Sequence, residues 1–382
     1  MVRWEHLTFS LKKEKFYKSY SNIIKDGRKM TKKQVFRGFI VCVLAIVFAL
    51  VGCNSKSENY EATKVYVANE GDGTISVIDT NSLKIIKIIK LGGMPHNVNV
   101  DPLGRYVYAT NHEGEEEVQP DGHAGHIPYL RIIDATTLEI AHSIPMEDMA
   151  AHAVPSRDGA FVYVSREGGN TIVEVSLEIE KITRIFEVGE GPHGFVLSND
   201  GKKLYVPNMR SHDVSIVDIE TGNQKRIVLE FEGKKCDTAV AMGITSDDRH
   251  SFVTCGKSFE IYKISNAEEK VIGRIGFDKG DLVGPIQTPV YPGNKYLYVP
   301  DMRNAVIHKI DIEKFELVKE IPAGQGAHGI AYSADGKLAY VTNTWEDSLS
   351  VLNIESDTIT KTIKVGIKPN GVALSNGKNQ GW

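Results

Sequence analysis

Several common signatures of catalysis are missing from this sequence. After residue 52 it contains no GxSxG elbow, no HExxH motif and no Walker phosphate-binding sequence, so serine-hydrolase, zincin and P-loop chemistry are not indicated. Cysteine is also scarce, with 4 among 382 residues. No Cys-rich framework and no CxxC zinc pattern is present. Cys236 and Cys255 are expected to be buried free thiols, and a disulfide between them is the alternative.

An excess of basic charge is absent as well. Residues 53–382 hold 34 Lys and Arg against 46 Asp and Glu, a net charge of −12. Nucleic-acid-binding proteins carry a basic patch or stripe that neutralises phosphates. The composition therefore predicts a folded protein that does not bind nucleic acid.

The first 52 residues differ from the rest of the chain. Basic residues up to Arg37 precede a run of 13 apolar residues, 39–51. This run is too short to span a bilayer comfortably, but it suits the hydrophobic region of a signal peptide. It ends in Leu-Val-Gly-Cys, which resembles a bacterial lipobox with Cys53 as the acylated residue.

These features set the expected boundaries. A signal of this kind would begin at Met30, so residues 1–29 are predicted to lie outside the translated protein and residues 30–52 to form the signal peptide. Residues 53–62 read as a polar tether. The expected location is the extracytoplasmic side of the cell membrane, with the lipid anchor as the membrane contact and an envelope protein as a further partner.

From Thr63 onward the sequence repeats one unit. A second strand with a Tyr-Val-x-Asn-like tetrapeptide recurs seven times, mostly about 42–47 residues apart. This period matches a four-stranded propeller blade. The tetrapeptides begin at Tyr66, Tyr108, Tyr163, Tyr205, Phe252, Tyr298 and Tyr340.

The two ends of the repeat region complement each other. The first unit lacks its inner strand, whereas residues 368–378 form an inner strand with nothing after it. Pairing them would close a ring and remove two exposed sheet edges. The sequence therefore predicts an all-β, seven-bladed β-propeller over residues 63–379, closed by its N- and C-terminal strands.

The tetrapeptide Tyr340-Val341-Thr342-Asn343 and the surrounding PxG-V-x-x-S-x-D-G-K-x-x-Y-V pattern resemble the repeat of the YVTN β-propeller family. Such proteins are also similar to the haem domains of periplasmic cytochrome-type nitrite reductases and their accessory proteins. The resemblance implies the fold and leaves the function open. Recurrent acids at the end of the third strand are expected to cap the following turn. They are Asp79, Asp134, Asp218 and Asp311, with Asn353 in the last blade.

Candidate site residues converge at one mouth of the channel, where the inner strands begin and the loops after the second strands emerge. Counting back from each second-strand Tyr places His96, His193, His328 and Ile286 at the inner-strand position, with Asn370 from the last segment. His152 and Met242 fit this position only with a one-residue deletion, and such a slip turns a side chain to the other face. The loops add His112, His123, His126, Met209, Arg210, Met302 and Arg303.

Three interpretations of this mouth remain open. Imidazoles suit copper, zinc or iron, and Met favours reduced copper. A haem would use an axial His and pair its carboxylates with Arg. Alternatively, His is a structural filler of the repeat. In the insertion 113–128, His123 and His126 with acidic neighbours suggest a cation site or, equally, a solvated loop.

The favoured function is therefore binding: a lipid-anchored propeller that acts as a binding or scaffold protein, without catalysis of its own. The alternative is a haem- or copper-binding redox protein. A lactonase ranks last, because it needs a divalent ion held by carboxylates and Asn, which Ile286 and a His-rich ring fit poorly.

Overall fold

The computed structural model describes residues 63–112, 116–118, 124–277 and 284–375, which form strands and turns with no helix. Within that part of the chain, no helix is present that could cross a membrane. The predicted signal peptide, Cys53 and the tether lie outside the described residues.

Seven antiparallel sheets follow one another along the chain, and each is one blade of the propeller. Six blades have four strands; in the sixth blade, three strands are joined by an inner segment held by isolated bridges at Pro285 and Val290. The predicted all-β, seven-bladed fold is confirmed.

The strands of each blade run from the channel outward. Blade 1 comprises Pro369–Leu374, Lys64–Asn69, Thr74–Asp79 and Lys84–Lys90; blade 2 comprises Pro95–Val100, Tyr106–Asn111, Tyr129–Asp134 and Ile140–Pro145; blade 3 comprises Ala150–Pro155, Phe161–Arg166, Thr171–Ser176 and Lys181–Glu187. Blade 4 comprises Val196–Leu197, Lys203–Asn208, Asp213–Asp218 and Gln224–Val228; blade 5 comprises Ala239–Ile244, His250–Cys255, Glu260–Ser265 and Lys270–Gly276. Blade 6 comprises Tyr296–Asp301, Val306–Asp311 and Glu316–Pro322; blade 7 comprises Ala327–Tyr332, Leu338–Asn343, Ser348–Asn353 and Thr358–Lys364. Two small hairpins are additional: Glu116–Val118 with Ala124–His126, and Glu230–Phe231 with Lys234–Lys235.

Ring closure occurs as predicted. The last strand, Pro369–Leu374, pairs antiparallel with the first, Lys64–Asn69, so that Val65 lies opposite Leu374. The Lys64 backbone N–H also donates to Ser375 Oγ at 2.8 Å. Blade 1 is thus assembled from both ends of the propeller, and neither edge is left unpaired.

Burial explains why the repeat folds into this shape. The second-strand tyrosines of four blades are fully buried between neighbouring sheets: Tyr66, Tyr108, Tyr298 and Tyr340. Outer strands such as Lys84–Lys90 bury a single apolar residue, Ile89, and expose the rest to solvent. The inner three strands therefore supply most of the apolar area that stabilises the ring.

The predicted turn caps are also present. Asp79 Oδ1 accepts a hydrogen bond from the Ser82 N–H at 2.7 Å, and Asp134 Oδ1 accepts from the Thr137 N–H at 2.7 Å. Asp218, Asp311 and Asn353 make the equivalent bond in their blades. These residues hold a turn and carry no chemistry.

The side chain of the last residue of the second strand joins that strand either to the third strand or to the loop that leads to the inner strand. Asn69, Asn208 and Asn343 each donate from Nδ2 to a serine on the third strand, at 2.8–3.0 Å. Asn111 Nδ2 instead donates to the Gly92 carbonyl. In blade 6 the pair is Asp301 and His308, 3.0 Å apart and fully buried.

Blade 5 fills this position with a cysteine. Cys255 ends its second strand and forms a disulfide with Cys236, which lies in the connection to the inner strand Ala239–Ile244. The expectation of two free thiols is therefore wrong. A covalent bond here ties together the two segments that side-chain hydrogen bonds join elsewhere.

We expect reduction of this disulfide to lower the free energy of unfolding by about 2–4 kcal/mol, because it closes a loop with a sequence separation of 19. Urea unfolding of the protein with and without reductant measures the effect. The Cys236→Ser/Cys255→Ser double variant, which should not respond to reductant, is the control. Equal unfolding midpoints of the wild-type protein in both conditions would contradict the prediction.

Candidate metal centre

Each blade places two residues at the same mouth of the channel. The first, here called the rim position, directly follows the second strand. Its backbone N–H donates to a loop carbonyl at 2.8–3.2 Å in all seven blades, and the residue two places after that carbonyl occupies the inner position. From blade 1 to blade 7 the rim positions hold Glu70, His112, Glu167, Met209, Gly256, Met302 and Thr344. The inner positions hold Asn370, His96, Ala151, His193, Val240, Ile286 and His328 in the same order.

Blades 1 to 4 bring imidazoles and carboxylates together at this mouth. Five side chains form a closed circuit of contacts. Glu70 Oε1 lies 3.3 Å from His96 Nδ1 and 3.5 Å from His112 Nδ1. His112 Nε2 lies 3.2 Å from Glu167 Oε1, which is 3.6 Å from His193 Nε2. His193 Nε2 and His96 Nε2, 3.1 Å apart, complete the circuit. With His152, these five residues are called the His–Glu cluster.

His152 joins the cluster from a different register. The pairing of Ala150 with Arg166 places Ala151 at the inner position, so His152 is one residue further along a bulged strand. Its ring nevertheless lies 4.8 Å from the His193 ring and 5.6 Å from the His96 ring, centroid to centroid. Its Nδ1 is buried without a hydrogen-bond partner among the described residues.

The outer contacts of the imidazoles orient their inner nitrogens. His193 Nδ1 lies 3.0 Å from the Val240 carbonyl and must donate to it, so its Nε2 lone pair faces the cluster. His96 and His112 stack with ring centroids 3.9 Å apart, and both direct Nδ1 to Glu70. A carboxylate behind a histidine is the arrangement that fixes a metal-binding tautomer.

Asn370 offers His96 a second tautomer. Its Nδ2 lies 3.0 Å from His96 Nδ1 and 3.1 Å from Glu70 Oε2. With Asn370 as donor, His96 carries its proton on Nε2 and donates it to His193. With Glu70 as acceptor, the proton sits on Nδ1 and the Nε2 lone pair is free. The two tautomers thus correspond to a closed hydrogen-bond chain and to a set of converging ligand atoms.

The carboxylates and His112 form a charged core. Burial disfavours the ionised form of Glu70, but hydrogen bonds from His112 and His96 outweigh it and hold the Glu70 pKa well below its usual range. Burial also disfavours the ionised form of Glu167, but the hydrogen bond from His112 and the electrostatic influence of His193 lower its pKa to about 2. Burial acts against charge on His112 too, yet its hydrogen bonds to Glu167 and Glu70 raise its pKa to about 9. In the metal-free protein, the His112 imidazolium therefore occupies the place of a cation between two carboxylates.

The remaining imidazoles are neutral at pH 7. Burial, reinforced by the charge of His112, lowers the pKa of His96 to about 3, and burial is also the main cause that lowers the pKa of His152 and His193. Neutral imidazole is the form that binds metal ions. At neutral pH no proton has to leave these three rings before coordination.

The distances suit a transition-metal ion. The ligand atoms of His96, His152 and His193 lie within 4.8 Å of one another, as do those of His112, Glu167 and His193. At metal–nitrogen distances of 2.0–2.1 Å, neighbouring nitrogens of a tetrahedral site are about 3.3 Å apart. The 3.1 Å between His96 Nε2 and His193 Nε2 is close to this value.

Met242 is not at the channel mouth, contrary to the sequence-based prediction. It is fully buried in an apolar cluster with Tyr205, Val253 and Tyr262. The pairing of Ala239 with Cys255 makes Val240 the inner residue of blade 5. Val240 stands twelve residues before Phe252 without any deletion, and Met242 lies two residues further along the strand.

The Met-Arg pairs contribute differently from what was expected. Arg210 donates to the Glu167 carbonyl at 2.6 Å and to Asn170 Oδ1 at 2.9 Å, so it joins the loops of blades 3 and 4. Met302 packs against Val240 and Ile286. Met209 is a half-buried rim residue, and Arg303 is exposed. None of the four is part of the His–Glu cluster.

The other predicted histidines lie apart from the cluster or cannot be placed. His328 is the inner residue of blade 7 and is buried, but it is in none of the ligand sets found among the described residues. His123 lies outside the described residues, and so does the side chain of His126, whose backbone ends a short strand.

Sequence reasoning missed Glu70 and Glu167. The repeat itself indicates these acids, because Glu70 and Glu167 directly follow the second strands of blades 1 and 3, just as His112 follows that of blade 2. Aligning that place across the seven repeats would have revealed a Glu-His-Glu series.

The cluster does not fit a haem. An axial imidazole needs open space beyond its coordinating nitrogen for the flat macrocycle. Here the Nε2 atoms of His96 and His193 face each other at 3.1 Å, and Glu167 Oε1 lies 3.6 Å from His193 Nε2, so neither nitrogen has that space. Arg210, expected to pair a haem carboxylate, is engaged with the Glu167 carbonyl.

The fold and the repeat define this chain as a seven-bladed β-propeller. The YncE-like β-propeller family model matches residues 226–377, and the model of the seven-bladed lactonase propeller matches residues 131–240. The uncharacterized protein YncE of Salmonella typhi is 22% identical over 279 residues, covering 71% of this chain and 74% of that protein.

Solved structures share the fold at low identity. Hydrazine synthase of Kuenenia stuttgartiensis aligns with a TM-score of 0.63 and 18% identity, over 76% of this chain and 92% of that one. The periplasmic gluconolactonase PpgL of Pseudomonas aeruginosa aligns with a TM-score of 0.65 and 14% identity, over 82% and 99%. At these identities the likeness shows the fold alone.

Proposed function

We propose that this protein is a lipid-anchored, extracytoplasmic binding protein that holds one transition-metal ion at its channel mouth. The observation that carries the proposal is two sets of ligand atoms that share His193: one with His96 and His152, the other with His112 and Glu167. His96 Nε2 and His193 Nε2 are 3.1 Å apart, and Glu167 Oε1 lies within 3.6 Å of His112 Nε2 and His193 Nε2.

The donor set favours particular ions. Three or four imidazoles with one carboxylate suit zinc, copper(II), nickel or iron(II), whereas calcium and magnesium prefer oxygen-only sites. Glu70, behind His96 and His112, and the Val240 carbonyl, behind His193, would be the outer partners that orient the ligands. The two carboxylates would also offset the positive charge of a divalent ion. Without metal, they offset the positive charge of the protonated His112.

The competing explanation is a purely structural network. In it, His96 donates from Nε2 to His193, and protonated His112 bridges the two acids. This network satisfies most of the polar atoms, but it leaves His152 Nδ1 buried and unpaired. Burying an unpaired polar atom costs free energy, and a bound ion would give the His152 ring a ligand role.

We expect the full-length protein, produced with export and purified without chelator, to bind close to one ion of zinc or copper per chain. Elemental analysis and calorimetric titration after metal removal measure this. His193→Ala should weaken binding by at least about 100-fold, and Glu70→Gln by about 10- to 100-fold, because it removes an orienting partner. His142→Ala is the matched control, since His142 pairs with Glu180 on an outer strand.

Metal-free protein that takes up none of the tested ions would contradict the proposal. Equal affinity in the wild-type protein and His193→Ala would contradict it too. An absorption spectrum of the same samples separates colourless zinc from a copper site, and only the copper site supports a redox role.

A second function is favoured by one finding. The lactonase family match spans residues 131–240 and includes three members of the cluster, His152, Glu167 and His193. The structure also supplies the carboxylates and the Asn that such an enzyme needs at the channel, in Glu70, Glu167 and Asn370. A metal ion there would polarise a lactone carbonyl and lower the pKa of a bound water.

We expect this second function to show as hydrolysis of δ-gluconolactone by metal-loaded protein, followed as acid release in a pH-stat. The rate should fall to the buffer rate in His193→Ala and stay unchanged in His142→Ala. A wild-type rate equal to that of buffer plus free metal would rule out this activity and leave binding as the function.

The anchor is a separate proposal, supported by the Leu-Val-Gly-Cys ending of the apolar run at Cys53. We expect the exported protein to incorporate labelled palmitate and to partition into detergent, and Cys53→Ser to lose both properties. A His142→Ala variant, unchanged at the N-terminus, should behave as the wild type. Wild-type protein that stays unlabelled and in the aqueous phase would contradict lipidation.

A further inference from the structure

We propose that the metal ion of this site takes a small carboxylic acid as an outside ligand, held by His328 and by an apolar wall on blades 5 and 6. The inference rests on the proposed metal site and adds the class of molecule that binds there. The observations that support it come from blades 5, 6 and 7, which contribute no residue to the His–Glu cluster.

His328 has a buried ring nitrogen, Nδ1, without a hydrogen-bond partner among the described residues. It occupies the inner position of blade 7, the same level as His96 and His193, as the Thr344 N–H to Gly326 carbonyl bond of 2.9 Å shows. Its side chain is 9% exposed, and its Nδ1 has no hydrogen-bond partner among the described residues. A buried ring nitrogen in this state points to a ligand or water that completes its hydrogen bonding.

Blade 7 is fixed next to blade 1, where the cluster begins. Thr342 Oγ1 donates to the Asn370 carbonyl at 2.7 Å, so the strands that carry His328 and Asn370 lie side by side. Asn370 in turn contacts Glu70 and His96. His328 therefore faces the same mouth as the cluster, separated from its ligand atoms by the Asn370 position.

The two blades before His328 line the mouth with apolar groups. Val240 and Ile286 hold the inner positions of blades 5 and 6, and together with Ala241 they form a small apolar cluster against which Met302 packs. The neighbouring rim position of blade 5 is Gly256, which adds no side chain. This wall has no donor or acceptor side chain, so it suits a hydrocarbon group.

A carboxylic acid matches both halves of the mouth. Its carboxylate can bind the ion beyond the protein ligands and accept a hydrogen bond from His328 Nδ1, while its carbon chain lies on Val240, Ile286 and Met302. Phosphate or chloride would satisfy His328 but gain nothing from the apolar wall. Carboxylates that differ in chain length are therefore the discriminating probes.

The experiment uses full-length protein loaded with cobalt(II), whose visible spectrum reports the ligands of the ion. Titration with acetate, propionate and butyrate should change the spectrum, with Kd falling about fourfold for each added methylene group. His328→Ala should weaken acetate binding about tenfold or more while cobalt binding stays unchanged. His328→Gln, which keeps an N–H donor, should retain acetate binding. Ile286→Ser should keep acetate binding and lose the dependence on chain length.

His250→Ala is the control, because His250 begins the second strand of blade 5, at the opposite end from the channel mouth. Three results would overturn the inference: equal acetate affinity in the wild-type protein and His328→Ala, binding of phosphate as tight as that of butyrate, or a cobalt spectrum that no carboxylate changes. If the protein binds no cobalt, zinc or copper at all, the proposed metal site itself fails, and this outcome is distinct from the other three.

Discussion

One backbone hydrogen bond recurs in every blade and positions everything at the channel mouth. It joins the N–H of the residue after the second strand to the loop that leads into the inner strand. Because this bond uses only main-chain atoms, the side chains at the rim and inner positions are free to vary without cost to the blade. The fold thus presents fourteen variable places on one constant frame, and the His–Glu cluster occupies five of the eight in the first four blades, together with His152.

This arrangement explains how much of the protein could be predicted from its sequence. The frame repeats, so the Tyr-Val-x-Asn tetrapeptides, the turn acids and the orphan last strand were enough to predict seven blades and their closure. The site does not repeat. His96 and His193 were found because imidazole is conspicuous at a repeated position, whereas Glu70 and Glu167 look like loop acids until the rim position is known to face the channel. Met242 was misplaced because a deletion was assumed in blade 5, whereas twelve residues before Phe252 stands Val240, the residue at the inner position. The pairing of Cys236 with Cys255 depends on a loop path that two isolated cysteines do not reveal.

The channel mouth is uneven in its chemistry. Carboxylates and imidazoles gather on blades 1 to 4 and apolar groups on blades 5 and 6. Blade 7 adds His328, whose buried Nδ1 has no hydrogen-bond partner within the described part of the chain. This uneven distribution would give the proposed carboxylic acid one orientation, with its polar end toward the proposed ion.

Blade 1 has a consequence for the order of events during folding. Its contact between Asn370 and Glu70 joins residues 300 positions apart, and Asn370 also touches His96. A chain that emerges from its N-terminus carries Glu70, His112, Glu167 and His193 long before the last strand arrives. Because the Glu70 N–H donates to the Lys368 carbonyl, the carboxylate that orients His96 and His112 is fixed only when that strand docks. Contacts of such large sequence separation form late, because the loop entropy must be overcome first. An ion bound to this cluster would therefore stabilise the closed propeller, since it would bind the closed ring better than an open intermediate and so oppose reopening.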